Sequence, residues 1–153
     1  MPSSTWCRAS RRRSLRLARD RFWPRLLADE LAAWEGRPFS WGTADCFQLA
    51  HSTARAMGLR PAALEGLPGY ADEAGAVAVM QHLGAGTFAG AVDAVWDRIP
   101  IALAQRGDWI MADAAGTTGC LGIVAGRRAV FMHPARGLSH INIGKDWLAW
   151  AAR

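Results

Sequence analysis

Apolar positions along this chain recur at helical spacing up to Pro100 and at a spacing of two after it. From Phe22, Leu27, Leu31 and Trp34 fall at i, i+4 and i+7, with Pro24 suited to a first turn and Gly36 to a stop. A second helix is predicted from about Asp45 to Met57, with Phe47, Ala50, Ala54 and Met57 on one face and Gly58 ending it. "LRPAALEGLPGY" is rich in Pro and Gly and reads as a loop. Asp72 or a neighbour can cap a third helix with Ala74, Val77 and Met80 inward, broken at "LGAG". A shorter helical piece carries Phe88, Val92, Val95 or Trp96, and Ile99.

After Pro100, "GDWIMADA", "CLGIVAG", "AVFMHP" and "SHINIG" are short strand candidates, and "AGRRA" is a tight hairpin connection. "KDWLAWAAR" brings Trp147 and Trp150, which are expected to pack that segment onto the sheet. A helical N-terminal half followed by an antiparallel β meander predicts one α+β domain over residues 22–153.

Charge changes this picture at one end only. Residues 1–25 hold eight Arg and one Asp, whereas the remainder holds ten basic and twelve acidic residues. The body is therefore nearly neutral, and residues 1–21 form a basic, Arg-rich arm. Its arginines are not interleaved with aromatic residues that would stack on bases, so docking on a partner protein or plain solvation is expected ahead of nucleic-acid binding. Cys7, Cys46 and Cys120 are widely spaced with no CxxC, which argues against a structural zinc site and a disulfide framework; no metal or other cofactor is predicted. No apolar run is long enough to span a bilayer, and no apolar segment follows the basic N-terminus to make a secretory signal. Arg106-Gly107-Asp108 reads as the turn and cap entering the first strand rather than an adhesion motif.

The chemistry concentrates at "FSWGTADCFQLAHSTARAMG". A helix starting near Asp45 puts Cys46 in its first turn, where unpaired backbone N–H groups favour a thiolate and can form part of an oxyanion hole. Gly42, Thr43 and Ala44 would let a substrate backbone come close. Asp45 opposes thiolate formation unless it is tied up as the cap. The alternative is a small apolar residue beginning a buried helix. A nucleophile also needs a base. His51 is five residues along the same helix and His82 precedes a Gly break. His133 and His140, at strand ends, are the histidines placed to approach a site on the sheet.

"RPFSWGTADCFQLA" resembles the "PY-x-WGG-x-DC-S-G" nucleophile motif of NlpC/P60 peptidases, papain-like hydrolases of bacterial cell-wall peptides. "RGDWIMADAAGTTGCLGIVAGRRAVFMHPARG" is similar to that family's second motif, which runs GD, a strand, GHVGI, a hairpin and a strand ending in a polar residue. The chain looks closer still to a small phage and prophage family related to NlpC/P60, sharing WG-x-x-DC, "LPGY", "GD", "LGI-x-x-G" and a late "AW". The resemblance covers roughly Trp34 to Trp150. It implies a papain-like fold, Cys46 as nucleophile, Asp45 beside it, and substrate contacts at Trp41 and Gly42. Cys120 stands where the family has its catalytic His, and the third polar position falls at Met132 or His133, with His133 the one side chain able to serve as a displaced base. The resemblance therefore implies either a tail-tip component with a degenerate site or an active cysteine peptidase or amidase cutting peptidoglycan stem peptides. In both cases the implied location is the virion tail, among tail-tip and hub subunits.

Overall fold

The computed structural model describes residues 18–83, 86–112 and 119–153. Cys7, most of the basic arm and part of the "LGAG" break lie outside them. The chain is α+β: the described residues form four α-helices and a six-stranded, wholly antiparallel sheet.

The helices are α1 (Trp23–Trp34), α2 (Cys46–Ala56), α3 (Glu73–His82) and α4 (Phe88–Asp93). Three begin at a side-chain cap: Asp45 accepts from Gln48 N–H, Asp72 from Gly75 N–H and Thr87 from Gly90 N–H. Pro24 takes the first turn of α1, as its spacing predicted. Helix α2 ends at Gly58, whose φ of +87° favours glycine, while Leu59 N–H reaches back to Ala54 C=O.

The strands are β1 (Asp97–Ile99), β2 (Trp109–Ala112), β3 (Cys120–Val124), β4 (Arg128–His133), β5 (Gly137–Asn142) and β6 (Leu148–Ala151), in the order β1-β6-β2-β3-β4-β5. The predicted meander is β2 to β5. The last element departs from it, because β6 returns to pair with both β2 and β1. The stretch around Ile99 is strand rather than helix for the same reason: its backbone pairs with Ala149 to Ala151.

Both faces of the sheet are covered. Trp109, Met111, Leu121, Ile123, Val130, Met132 and Trp150 face the helices, packing with Leu27, Trp34, Leu49, Ala50, Ala54 and Met57. Ile110, Val124, Ala129, Phe131 and Ala149 face the other way, under Ile99, Ile101, Ile143 and Trp147. On α3 the inward face is Ala76, Val79 and Met80, and the expected Ala74 is exposed. "EAGAVAVMQH" is apolar on nearly every side, so its spacing does not select a face.

Arg19 and Asp20 belong to this body. Asp20 N–H bonds Met57 C=O, and the Arg19 guanidinium bonds the Ala152 and Arg106 carbonyls and the Asp108 carboxylate. Among the described residues no helix is long and apolar enough to cross a membrane.

Candidate functional site

Cys46 is the first residue of α2, and Asp45 immediately before it is 1% exposed. Three donors occupy the Asp45 carboxylate: Gln48 N–H at 2.9 Å, Gly42 N–H at 2.8 Å and the Tyr70 hydroxyl at 2.6 Å. Burial raises the Tyr70 hydroxyl pKa, and its bond to Asp45 raises it further, so Tyr70 holds its proton and donates it. The carboxylate is thus tied up as a cap.

Gly42 is fixed twice over. Its φ is +79°, and a Cβ there would stand 1.8 Å from the Tyr70 carbonyl oxygen. The turn from Ser40 to Ala44, closed by their paired backbones, lies directly against the "LPGY" loop. Gly42→Ala is expected to destabilise the protein by about 2–4 kcal/mol, combining left-handed strain with the push of the new Cβ against the Tyr70 carbonyl. Urea unfolding checks it; a loss below about 0.5 kcal/mol would show that this turn and Tyr70 separate freely.

The Cys46 thiol has a pKa pushed up to about 12. Burial is the largest cause, followed by the charge of Cys120 and, less strongly, that of Asp45. The backbone N–H groups of Leu121 and Phe47 pull the other way by bonding to the sulfur. Burial also raises the Cys120 thiol. Both cysteines are free thiols.

The fold therefore brings Gly42, Asp45, Cys46 and Cys120 together. His133 is not among the groups acting on Cys46. It ends β4, where its Nδ1 accepts Ala135 N–H at 3.0 Å. The β3–β4 register runs Gly122 to Phe131 and Val124 to Ala129; continued by two pairs beyond Gly122 and Phe131, it sets His133 opposite Cys120. His140 pairs with Glu35 at the end of α1, 3.1 Å away. His51 packs its ring on Phe47, and burial lowers its pKa. Trp41 stacks edge-on against Phe39, with centroids 5.0 Å apart. Tyr70 and the Leu121 N–H are given no role by the sequence; "LPGY" reads as a loop and a shared motif, without a partner for its tyrosine. Among the described residues no three His, Cys, Asp or Glu side chains cluster as metal ligands would.

The family model described as "Domain of unknown function (DUF6950)" matches residues 18–152. The chain belongs to that family. No curated protein and no solved structure matches it. The DUF6950 match begins one residue before Arg19, so it takes in the anchoring bonds of Arg19 and Asp20 as well as the Cys46 site.

Proposed function

We propose that this chain is a papain-like, NlpC/P60-type domain whose hydrolytic site has lapsed and which serves as a structural component of a phage tail tip. The observation that carries the lapsed-site reading is the Cys46 thiol, pushed up to about 12 by burial and by Cys120. A nucleophile needs the thiolate near neutral pH, and a second thiol in the place of a base withholds it. The tail-tip part rests on the run of motifs from Trp34 to Trp150. A second reading, an active peptidoglycan peptidase, is favoured by the Leu121 and Phe47 backbone N–H groups at the sulfur, which lower the Cys46 pKa and support a thiolate.

Turnover separates the two. The full chain on peptidoglycan fragments is expected to release no new ends, with Cys46→Ala indistinguishable from it. Cleavage abolished by Cys46→Ala would reverse the assignment. For the tail, particles made without this protein are expected to lack a normal tip; intact, infectious particles would end the structural role.

Iodoacetamide alkylation of Cys46 is expected to stay slow at pH 7 and to accelerate only well above pH 9. A midpoint at or below about 8.5, the value of a free thiol, would contradict the raised pKa. Stability follows with a definite sign. The folded protein keeps a proton that the unfolded chain gives up, so the Cys46 contribution is complete below about pH 8.5 and is lost as pH rises towards the folded value.

A further inference from the structure

We propose that the cleft between helix α2 and the loop from Leu64 to Tyr70 binds a small aromatic carboxylate. Its volume is about 260 Å³, just under the range of drug-sized sites, and it is open to solvent. Phe47, Leu64, Leu67 and Pro68 make its walls apolar. Gln48, His51 and Arg55 make them polar; spaced i, i+3 and i+7, these three share one face of α2. Apolar walls with a few polar groups are the make-up of a small-molecule site.

Charge decides the ligand class. Arg55 is exposed at the cleft, and Arg60 lines an adjoining one on which Gln48, His51 and Arg55 also border. Neither guanidinium forms an ion pair among the described residues. Arg60 is held beside the end of α2 by the carbonyls of Arg55 and Leu59, at 3.0 and 3.1 Å. His51 is half-buried; burial lowers its pKa, Arg55 and Arg60 lower it further, and Glu65 opposes them. On α1, the Glu30 carboxylate of the adjoining cleft is engaged by the Trp34 indole. His51 thus stands among two cations and one nearby carboxylate, an excess of positive charge that favours an anion.

The loop adds donors. The backbone N–H groups of Gly66, Leu67, Gly69 and Tyr70, four residues at this cleft, donate to no backbone carbonyl among the described residues. Groups of this kind receive carboxylates and phosphates. Glu65, at the same cleft, sets the limit: it repels a second negative charge, so a monoanion is favoured over a phosphate dianion. The aromatic body is argued from Phe47 and His51, whose rings lie 5.6 Å apart between centroids with planes inclined at 33°. They offer a further ring a surface on which to stack. None of this depends on Cys46 being reactive.

The test titrates the full chain with benzoate, benzamide and phenyl phosphate, following imidazole C–H signals by NMR, with His51 assigned from His51→Gln. Benzoate is expected to saturate and to raise the His51 pKa, because a bound anion favours the imidazolium. Benzamide, similar in shape without the charge, is expected to leave it unmoved. At pH 8 phenyl phosphate is expected to bind more weakly than benzoate. Arg55→Gln is expected to weaken benzoate about 3- to 10-fold, the worth of one hydrogen bond at an exposed site, and Glu65→Gln to tighten it. Both side chains are exposed, so both variants are expected to fold. A His51 pKa unmoved by benzoate, benzamide binding as tightly, equal affinity in Arg55→Gln, or tighter binding of phenyl phosphate would each overturn the proposal.

Discussion

Asp108→Ala is expected to cost about 3–5 kcal/mol of stability, with a fall in Tm on the order of 10 °C for a chain of this size. Asp108 is fully buried and is bonded from four directions: by the guanidinium of Arg19 at 3.0 Å, by that of Arg153, and by the backbone N–H groups of Gln105 at 2.9 Å and Ala152 at 3.2 Å. It therefore ties the segment before α1 and the residue after Ala152 to the turn that enters β2. Burial lowers the Arg19 pKa, and Arg153 lowers it further, while Asp108 opposes both. Removing the carboxylate leaves two guanidinium groups facing each other, one of them largely out of water, and that uncompensated charge is the larger part of the cost. Asp108→Asn, which keeps the shape and some of the bonding, is expected to lose less. Thermal and urea unfolding of the three proteins decide the point, and a loss under about 1 kcal/mol in Asp108→Ala would show that the cluster is not an anchor. The same burial rules out Arg106-Gly107-Asp108 as an exposed adhesion motif, in keeping with its reading as a turn and cap.

The partners of Asp108 show where sequence reading stops. That Asp108 caps a turn is local, because Gln105 is three residues away. That it binds Arg19 is not, since the two are 89 residues apart and nothing in the charge pattern separates Arg19 from the other arginines of the arm. The same division holds at the site. Asp45 and Cys46 were legible as a cap and a first turn, because capping is decided within four residues. Tyr70, which donates to Asp45 across 25 residues, was not. Strands β2 to β5 were visible because Gly-containing turns separate runs of β-forming residues. Strand β6 was hidden: it lies inside the sheet, Ala149 and Trp150 are both fully buried on opposite faces, and a strand covered on both sides has no alternation to read.

Cys120→His is expected to raise the rate of Cys46 alkylation at pH 7 by at least about tenfold. In the wild type, position 120 carries a buried thiol whose own pKa is raised, so at pH 7 it neither accepts the Cys46 proton nor supplies a cation. Replacement puts an imidazole on the same Cα, able to accept the thiol proton and then to favour the thiolate as a cation. His133 supplies the remaining element. Continuing the register of β3 and β4 sets it opposite position 120, and residues directly opposite in an antiparallel pair project from the same face. Its Nδ1 is held by Ala135 N–H, which leaves Nε2 to orient a neighbouring imidazole. The single replacement thus supplies the base and its orienting partner together, beside N–H groups already directed at the sulfur. The double variant Cys120→His, His133→Ala is expected to keep the part of the gain in alkylation that an imidazole at position 120 supplies by itself, and to lose the part that depends on imidazole orientation. A single variant whose alkylation still turns on only far above pH 9 would place the defect in the burial of Cys46 itself. Absence of a base would then no longer explain the silence of the site.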